Sequence, residues 1–450
     1  MIKKTVLAAA LAAAFASPAF AQEDVRAELR ALHEEVQRLR AELDAMKKGG
    51  GAQAAAVAAP AAVAATPATA GSPTPAASAT PTATAAAPAA VATAPEAAAE
   101  PATKLFGYGE LSYSRPRGDA GGAQATVGRF VIGLSHDFNE KTRFASEVEI
   151  ENAVASADDQ GEVEVEQVYI EHQFSPDISG KAGLFLMPIG LLNESHEPPN
   201  YYGVHRNFVE TAIIPTTWRE IGLGATGRTG FGLRWDAGIT TGFDLTKWDS
   251  TSDESIESPL GSIHQEGQLA KAGNPAFYGA LNYNGVPGLN LGGSLFYGKV
   301  AQKQADFASP DASLTLGEVH ARWTPGDWDL SALYAIGTFN NVEAFNLTQV
   351  GNPYPVPKRF DGWYLQGAYK LWNSGEYALL PFARYEQVNT ARSYDASLSE
   401  FGYTGRPTDK IVTTGATFQL HPQVVLKADY QWFRDDSRRD ALNLGLGFTY

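Results

Sequence analysis

The feature that most constrains the fold is a repeated alternation of apolar and polar residues from Lys104 to Tyr450. In QVVLKADYQW (423–432), Val424 and every second residue after it are apolar, whereas Lys427 and Asp429 occupy the other phase. A period of two places the two sets on opposite faces of a β-strand. Sixteen such segments can be counted. The sequence therefore predicts an all-β domain whose strands each have one apolar and one polar face.

The connections between these segments alternate in length. Seven are short, such as PDI after residue 175, and eight are longer, including residues 191–217 and 245–274. Short turns at one rim and long loops at the other are typical of a membrane-spanning barrel. A secreted soluble β-sandwich would also alternate apolar and polar residues, but it gives no reason for alternating connection lengths. We therefore predict a 16-stranded antiparallel transmembrane β-barrel over residues 104–450.

The first 103 residues form three segments whose composition differs from that of the barrel segment. Residues 1–21 begin with Lys3 and Lys4, continue with an apolar run and end in Ala19-Phe20-Ala21, which predicts a secretory signal peptide. An uncleaved membrane anchor is the alternative. Residues 49–103 are rich in Ala, Pro and Thr, and recurrent proline prevents a continuous helix, so we predict a disordered linker. The chain has no cysteine, so disulfides are excluded.

Residues 22–48 carry a heptad pattern. Apolar residues recur at spacings of four and three, between charged flanks, which predicts a short periplasmic coiled coil. A single amphipathic helix lying on a surface is the alternative. The predicted seam consists of Val25, Leu29, Leu32, Val36, Leu39, Leu43 and Met46.

The sequence lacks the residue patterns that are typical of several functional classes of protein. The net charge of −15 argues against nucleic acid as a partner, because phosphates require a basic surface. Histidines show no metal-ligand spacing, and His196-Glu197 lacks the second histidine of a zinc protease and is followed by proline. The sequence has no G-x-S-x-G motif. We predict no enzyme, no cofactor and no metal, and an outer-membrane hydrolase is kept only as a minor alternative.

The barrel segment resembles the phosphate-selective porin O/P family of Gram-negative outer membranes. The resemblance lies in GEVEVEQVYIEHQFS (161–175), residues 181–224, PFARYEQV (381–388) and the terminal LGLGFTY. The N-terminal coiled coil is similar to the stalk of trimeric dicarboxylate-type porins. Together these resemblances imply a homotrimeric channel in the outer membrane. The last strand also looks like the signal read by the barrel-assembly machinery, although that signal usually ends in Phe; its apolar face is Leu442, Leu444, Leu446, Phe448 and Tyr450.

Selectivity in such a barrel depends on the charges at its narrowest point. Loop 191–217 is long and partly apolar, so we predict that it folds inward; a position on the rim or in a trimer contact is the alternative. Charged residues on the polar phase of the strands are predicted to face it, either as selectivity elements or as salt bridges of the wall. The predicted pore-lining set is Arg129, Arg143, Glu147, Glu149, His196, His205, Arg206, Arg234, Asp236, Arg384, Glu386, Lys427 and Asp429.

These features predict a porin in the Gram-negative outer membrane, in contact with its lipid, for passive diffusion of small hydrophilic solutes. A preference for anions such as phosphate or dicarboxylates is the finer expectation, although the acidic chain has few lysines. A barrel that tethers the outer membrane through its coiled coil is the alternative.

Overall fold

The computed structural model describes residues 102–156 and 161–450, together with Arg38. The predicted signal peptide, the coiled-coil seam and nearly all of the linker lie outside the described residues. The described chain forms one antiparallel sheet that closes on itself, because β1 (Thr103–Pro116) pairs with both β2 (Gln124–Asn139) and β17 (Ala441–Thr449). This confirms the predicted 16-stranded antiparallel barrel.

Strands that follow one another in the chain are neighbours in the sheet. The remaining strands are β3 (Thr142–Glu151), β4 (Val163–Ser175), β5 (Ile178–Leu186), β6 (Arg219–Arg228), β7 (Leu233–Thr240), β8 (Ala276–Tyr283), β9 (Leu289–Lys299), β10 (Ser313–Trp323), β11 (Trp328–Asn340), β12 (Arg359–Tyr369), β13 (Trp372–Ser374), β14 (Tyr377–Ser393), β15 (Asp409–His421) and β16 (Val424–Phe433). Both β12 and β13 pair with β14, so β13 continues β12 after a two-residue break and the seventeen segments make sixteen barrel strands.

The helical elements lie in the connections. Two short α-helices are α1 (Asp253–Glu257) and α2 (Glu343–Thr348), and one π-helical turn covers Val209–Ile213. Single 3₁₀ turns occur at Ala120–Gly122, Pro198–Asn200, Leu245–Lys247, Gly261–Ile263, Ala396–Phe401 and Ser437–Arg439. Among the described residues, no helix has the length and apolarity needed to cross a membrane.

The two faces of the strands have the polarity that the alternation predicts. Leu442 and Leu444 of β17 are 41% and 46% exposed on the outer surface, whereas Asn443 between them is buried and donates to Asp429 inside the barrel. An antiparallel strand can keep one face apolar and one polar only if its two sides meet different surroundings. The barrel therefore has an apolar outer wall and a polar inner wall.

The last strand closes the barrel through backbone hydrogen bonds between Tyr450 and Gly107, at 3.0 and 2.9 Å in the two directions. The Tyr450 hydroxyl also donates to the carbonyl of Val131. Gly107 is required at this seam, because a Cβ there would lie 2.2 Å from the Val131 oxygen and 2.6 Å from the Tyr450 hydroxyl.

The hydrophobic core lies inside the barrel. Residues 187–218 between β5 and β6, here termed the inner loop, contribute Trp218, whose ring contacts Phe243 of the next long connection and Phe296 of β9 at centroid distances of 5.0 and 4.8 Å. The surrounding apolar cluster draws on β5, β8 to β12 and β14. Long connections on a barrel rim can fold inward when they carry their own apolar side chains. This core fills part of the lumen.

Candidate functional site: the inner loop and the two chambers beside it

Glu210 fixes the conformation of the inner loop. One carboxylate oxygen accepts from the backbone N–H groups of Leu191 and Leu192 at 2.6 and 2.8 Å, and the other accepts from Asn207 and from Tyr364 of β12. A buried carboxylate is tolerated only when its lone pairs are satisfied in this way. Glu210 therefore ties both ends of the inner loop to each other and to the barrel wall.

A buried ion pair anchors the middle of the inner loop to β4. His196 Nε2 lies 2.7 Å from the Glu166 carboxylate, and the Tyr108 hydroxyl of β1 donates to the same carboxylate at 2.9 Å. His196 Nδ1 lies 2.9 Å from the carbonyl of Asn193, which only accepts hydrogen bonds, and Nε2 also lies 2.7 Å from the Tyr108 hydroxyl. The side chains of His196 and Glu166 are both almost completely buried.

Tyr201 crosses the polar side of the lumen. Its hydroxyl donates to Glu110 of β1 at 2.7 Å, and Glu110 also accepts from Arg129 of β2 at 2.7 Å. Lys427 of β16 donates to the Tyr201 carbonyl at 2.8 Å and lies 3.6 Å from the ring centroid, in cation–π geometry. Burial and the Glu110 carboxylate raise the pKa of Tyr201, so its phenol stays protonated as the donor.

The rest of the inner loop is bound by wall carboxylates that accept from its backbone. Asp429 of β16 accepts from the N–H of Val204 at 2.6 Å, and Glu386 of β14 accepts from that of Phe208 at 2.8 Å. Glu386 also pairs with Arg384 at 3.0 Å. Contacts from the inner loop thus reach β1, β4, β12, β14 and β16, so it crosses the interior of the barrel.

Two cavities lie beside the inner loop, and Tyr201 lines both. The loop-side chamber, about 430 Å³, is bounded by Glu110, Arg129, Glu151, Tyr201, Val204, His205, Arg206, Phe208, Thr211, Thr216, Thr217 and Gln431, with Gly128 and Asn152. The turn-side chamber, about 250 Å³, is bounded by Ser195, Pro199, Asn200, Tyr201, Tyr202, Arg322, Leu380, Thr417, Gln419, Pro422 and Val425. Tyr201 therefore lies between these two chambers.

The structure brings most of the predicted charged residues to the inner loop. Arg129, Glu149 and Lys427 are buried, and Arg129 Nε lies 3.9 Å from Glu149. His205 is exposed to the lumen and approaches Ser114 at 3.0 Å.

Other predicted residues lie apart from Tyr201. Arg143 is at the rim of short turns, where it pairs with Asp137 at 2.6 Å and keeps 55% of its side chain exposed. Arg234 pairs with Asp236 at 2.9 Å and with Glu194, near the start of the inner loop, at 3.2 Å. Glu147 accepts from Gln167 at 2.7 Å.

Two central residues were not in the predicted set. Glu110 lies on the polar phase of β1, so the alternation alone was sufficient to find it. Glu166 was hidden by a bulge: Glu147 pairs with Gln167 but Val148 pairs with Val165, which leaves Glu166 as an extra residue. A bulge changes the phase of a strand, so Glu166 and Gln167 both contact inward-facing groups although they are adjacent.

The described residues contain no group of three or more His, Asp or Glu side chains that could hold a metal ion. Several of the charged groups around the inner loop, such as Glu210, Glu386 and Asp429, instead bind backbone groups of that loop. This arrangement suits the positioning of a loop and the passage of polar solutes, which need a polar wall and a defined constriction.

Comparison with known proteins agrees with this geometry. No protein-family model matches the chain. An uncharacterized protein of Aquifex aeolicus (strain VF5) is 31% identical over 336 residues, covering 72% of this chain and 74% of that protein. OmpF of Salmonella typhi, solved in complex with daunomycin, superposes with a TM-score of 0.54 at 14% identity, over 77% of this chain and 97% of OmpF. The outer membrane channel DcaP of Acinetobacter baumannii gives a TM-score of 0.49 at 11% identity, over 77% of this chain and 97% of DcaP. The chain has the porin fold and belongs to the family of the Aquifex aeolicus protein.

Proposed function

We propose that the protein is an outer-membrane porin of a Gram-negative cell, through which small hydrophilic solutes diffuse passively. The observation that carries this proposal is the inner loop, which divides a polar lumen into two chambers inside a barrel with an apolar outer wall. A barrel of sixteen strands is wide enough to leave a water-filled lumen, and the inner loop narrows it at Tyr201.

The orientation follows from the connections. The short turns are assigned to the periplasm and the long loops to the cell exterior, as in outer-membrane barrels. Because the number of strands is even, we propose that the start of β1 and Tyr450 both lie on the periplasmic side. The predicted coiled coil over residues 22–48 would hang there as a stalk, and we propose that it supports a homotrimer. The apolar face of β17 is the proposed signal for the barrel-assembly machinery.

Charge selectivity is a separate part of the proposal. Arg143, Arg234 and Arg384 each hold a carboxylate within 4 Å, so their charges are largely compensated. A preference for anions such as phosphate or dicarboxylates would therefore depend on Arg206, which lines the loop-side chamber and has no carboxylate within 4 Å among the described residues. The resemblance to the phosphate-selective porins is consistent with such a preference but does not require it.

Planar-bilayer recording of the purified full-length protein tests the proposal. We expect discrete conductance steps in potassium chloride, and the reversal potential in a salt gradient reports the charge preference. Protein unfolded in urea before addition is the control for detergent artefacts. Absence of conductance steps from folded protein would contradict the porin function, and a reversal potential that shows cation preference would contradict the anion preference alone.

A further inference from the structure

The loop-side chamber contains charges of both signs in equal number. Arg129 and Arg206 supply the cations, and Glu110 and Glu151 supply the anions. Two further ionisable groups line the chamber without adding a charge at pH 7, because desolvation lowers the pKa of His205 and raises the pKa of Tyr201. A chamber with no net charge but with separated charges favours a solute that carries both signs.

Two of these four charges lack an ionic partner. Glu110 and Arg129 pair with each other at 2.7 Å. Arg206 donates only to the hydroxyls of Thr216 and Thr217, and within the described part of the chain no carboxylate lies within 4 Å of it. Glu151 likewise has no cation within 4 Å among those residues. The free cation and the free anion are thus available to a solute in the same chamber.

Arg129 adds an unused donor. Its residue is 6% exposed, and its Nη1 atom has no hydrogen-bond partner within the described ranges. A buried guanidinium nitrogen without an acceptor is costly, because it has given up water without replacement. Burial and the neighbouring Arg129 also lower the pKa of Arg206, although the guanidinium stays ionised. Arg206, which borders the chamber, would gain from a carboxylate placed beside it, whereas Nη1 of Arg129 is enclosed by protein.

We infer that the loop-side chamber binds small zwitterionic solutes, whose carboxylate contacts Arg206 while their ammonium contacts Glu151. This inference rests on the proposed porin function and specifies its solute class. A guanidinium binds a carboxylate through directed, charge-assisted hydrogen bonds. A simple anion would satisfy Arg206 but would leave Glu151 uncompensated and repelled, which gives the discrimination.

The chamber has the size of a small-molecule site. Its volume of about 430 Å³ falls at the lower end of the range of roughly 300–1,000 Å³ that is usual for ligand pockets. The hydroxyl of Thr211 and the ring of Phe208 complete the wall beside the charges. A compact α-amino acid therefore fits with room for water.

The test measures uptake into liposomes that contain the full-length protein, with alanine as the zwitterion, lactamide as a neutral solute of similar size, and lactate as the anion. We expect alanine uptake to exceed lactamide uptake by about three- to tenfold at low concentration, the scale of one or two partly exposed ion pairs. Alanine uptake should saturate. Arg206→Gln and Glu151→Gln should each bring the ratio of alanine to lactamide uptake close to one.

The controls separate the binding site from the channel. Arg322→Gln removes a cation that lines the turn-side chamber and should leave the ratio unchanged. Reversal potentials should shift in opposite directions, toward cations in Arg206→Gln and toward anions in Glu151→Gln, which a purely structural role would not produce. Lactate uptake above alanine uptake, or a ratio insensitive to both variants, would overturn the zwitterion site while the porin function stands. No lactamide uptake by wild-type protein would overturn the porin function, and the inference with it.

Discussion

The buried contact between His196 and Glu166 allows a quantitative test of how the inner loop is held. Both side chains are almost completely buried, with exposures of 4% and 0%. In His196→Ala, the Glu166 carboxylate loses the imidazole that lies 2.7 Å from it and keeps the Tyr108 hydroxyl as a donor. Removal of one partner of a buried ion pair costs about 3–5 kcal/mol, because the remaining charge is uncompensated. We expect the free energy of unfolding to fall by about that amount at pH 7.

The destabilisation should depend on pH. An uncompensated buried carboxylate is relieved when it binds a proton, and each pH unit corresponds to about 1.4 kcal/mol in such an equilibrium. The difference between His196→Ala and wild type should therefore be smaller at pH 5 than at pH 7. Urea unfolding in detergent micelles, followed by tryptophan fluorescence and extrapolated linearly to zero urea, measures the difference at both pH values.

Two matched variants complete this test. Glu166→Leu in the His196→Ala background removes the stranded carboxylate and should restore part of the lost stability. Arg438→Ala removes an ion pair with Asp436 at the surface and should be indistinguishable from wild type, because solvent screens exposed pairs. A loss below about 1 kcal/mol for His196→Ala at pH 7, or no recovery in the double variant, would refute the reasoning.

Four further expectations concern the pore, a loop, the seam and the stalk. Tyr201→Ala should raise single-channel conductance, since Tyr201 lines both chambers. Tyr202→Ala removes the same side-chain volume and should raise the conductance less. Equal conductances of the two variants would contradict the assignment of Tyr201 to the constriction. Burial lowers the pKa of His264, in the connection of residues 245–274, to about 4, below the ordinary value of about 6.5. The stabilisation of this connection by the neutral imidazole is therefore complete above pH 6.5 and falls as the pH drops toward 4. Hydrogen exchange of the connection, corrected for intrinsic rates, should accelerate over that range in wild type but not in His264→Gln. Gly107→Ala should reduce the folded fraction seen by heat-modifiable gel mobility, whereas Gly230→Ala, with nothing within 4 Å of the added Cβ, should not. Deletion of residues 22–48 should weaken trimers in cross-linking without abolishing conductance, and trimers of unchanged stability would remove the proposed role of the stalk.

Much of the barrel follows from local sequence pattern. The alternation in QVVLKADYQW places Leu426 outside and Lys427 inside, because successive side chains of a strand point to opposite faces. The short connections fix which strands are neighbours, since a turn of a few residues can join only adjacent antiparallel strands. No long-range information is needed for either step, so strand number, strand order and the polarity of each face were predictable.

The site was predictable only in part. The long connection at 191–217 and the inward arginines were recognised, but their partners were not. Glu166 escaped because a bulge shifts the phase of β4 without any mark that a period of two would reveal. The alternation grouped Arg143 with Arg129, because both residues belong to the inward face of their strands. It did not show that Arg143 lies at the rim of short turns, because alternation identifies the face of a strand but not the position of a residue along the barrel axis.

The sequence by itself determined the barrel, its two faces and the loop long enough to enter it, because these depend on periodicity and connection length. Only the tertiary structure decided where that loop rests and which charges remain free. Tyr201 meets Glu110 and Lys427 across 91 and 226 residues of chain, a distance in sequence over which no local pattern operates. The freedom of Arg206 likewise follows from the path of the inner loop through a closed sheet. Barrel closure brings distant strands around one lumen, and that proximity creates the constriction and its two unpaired charges.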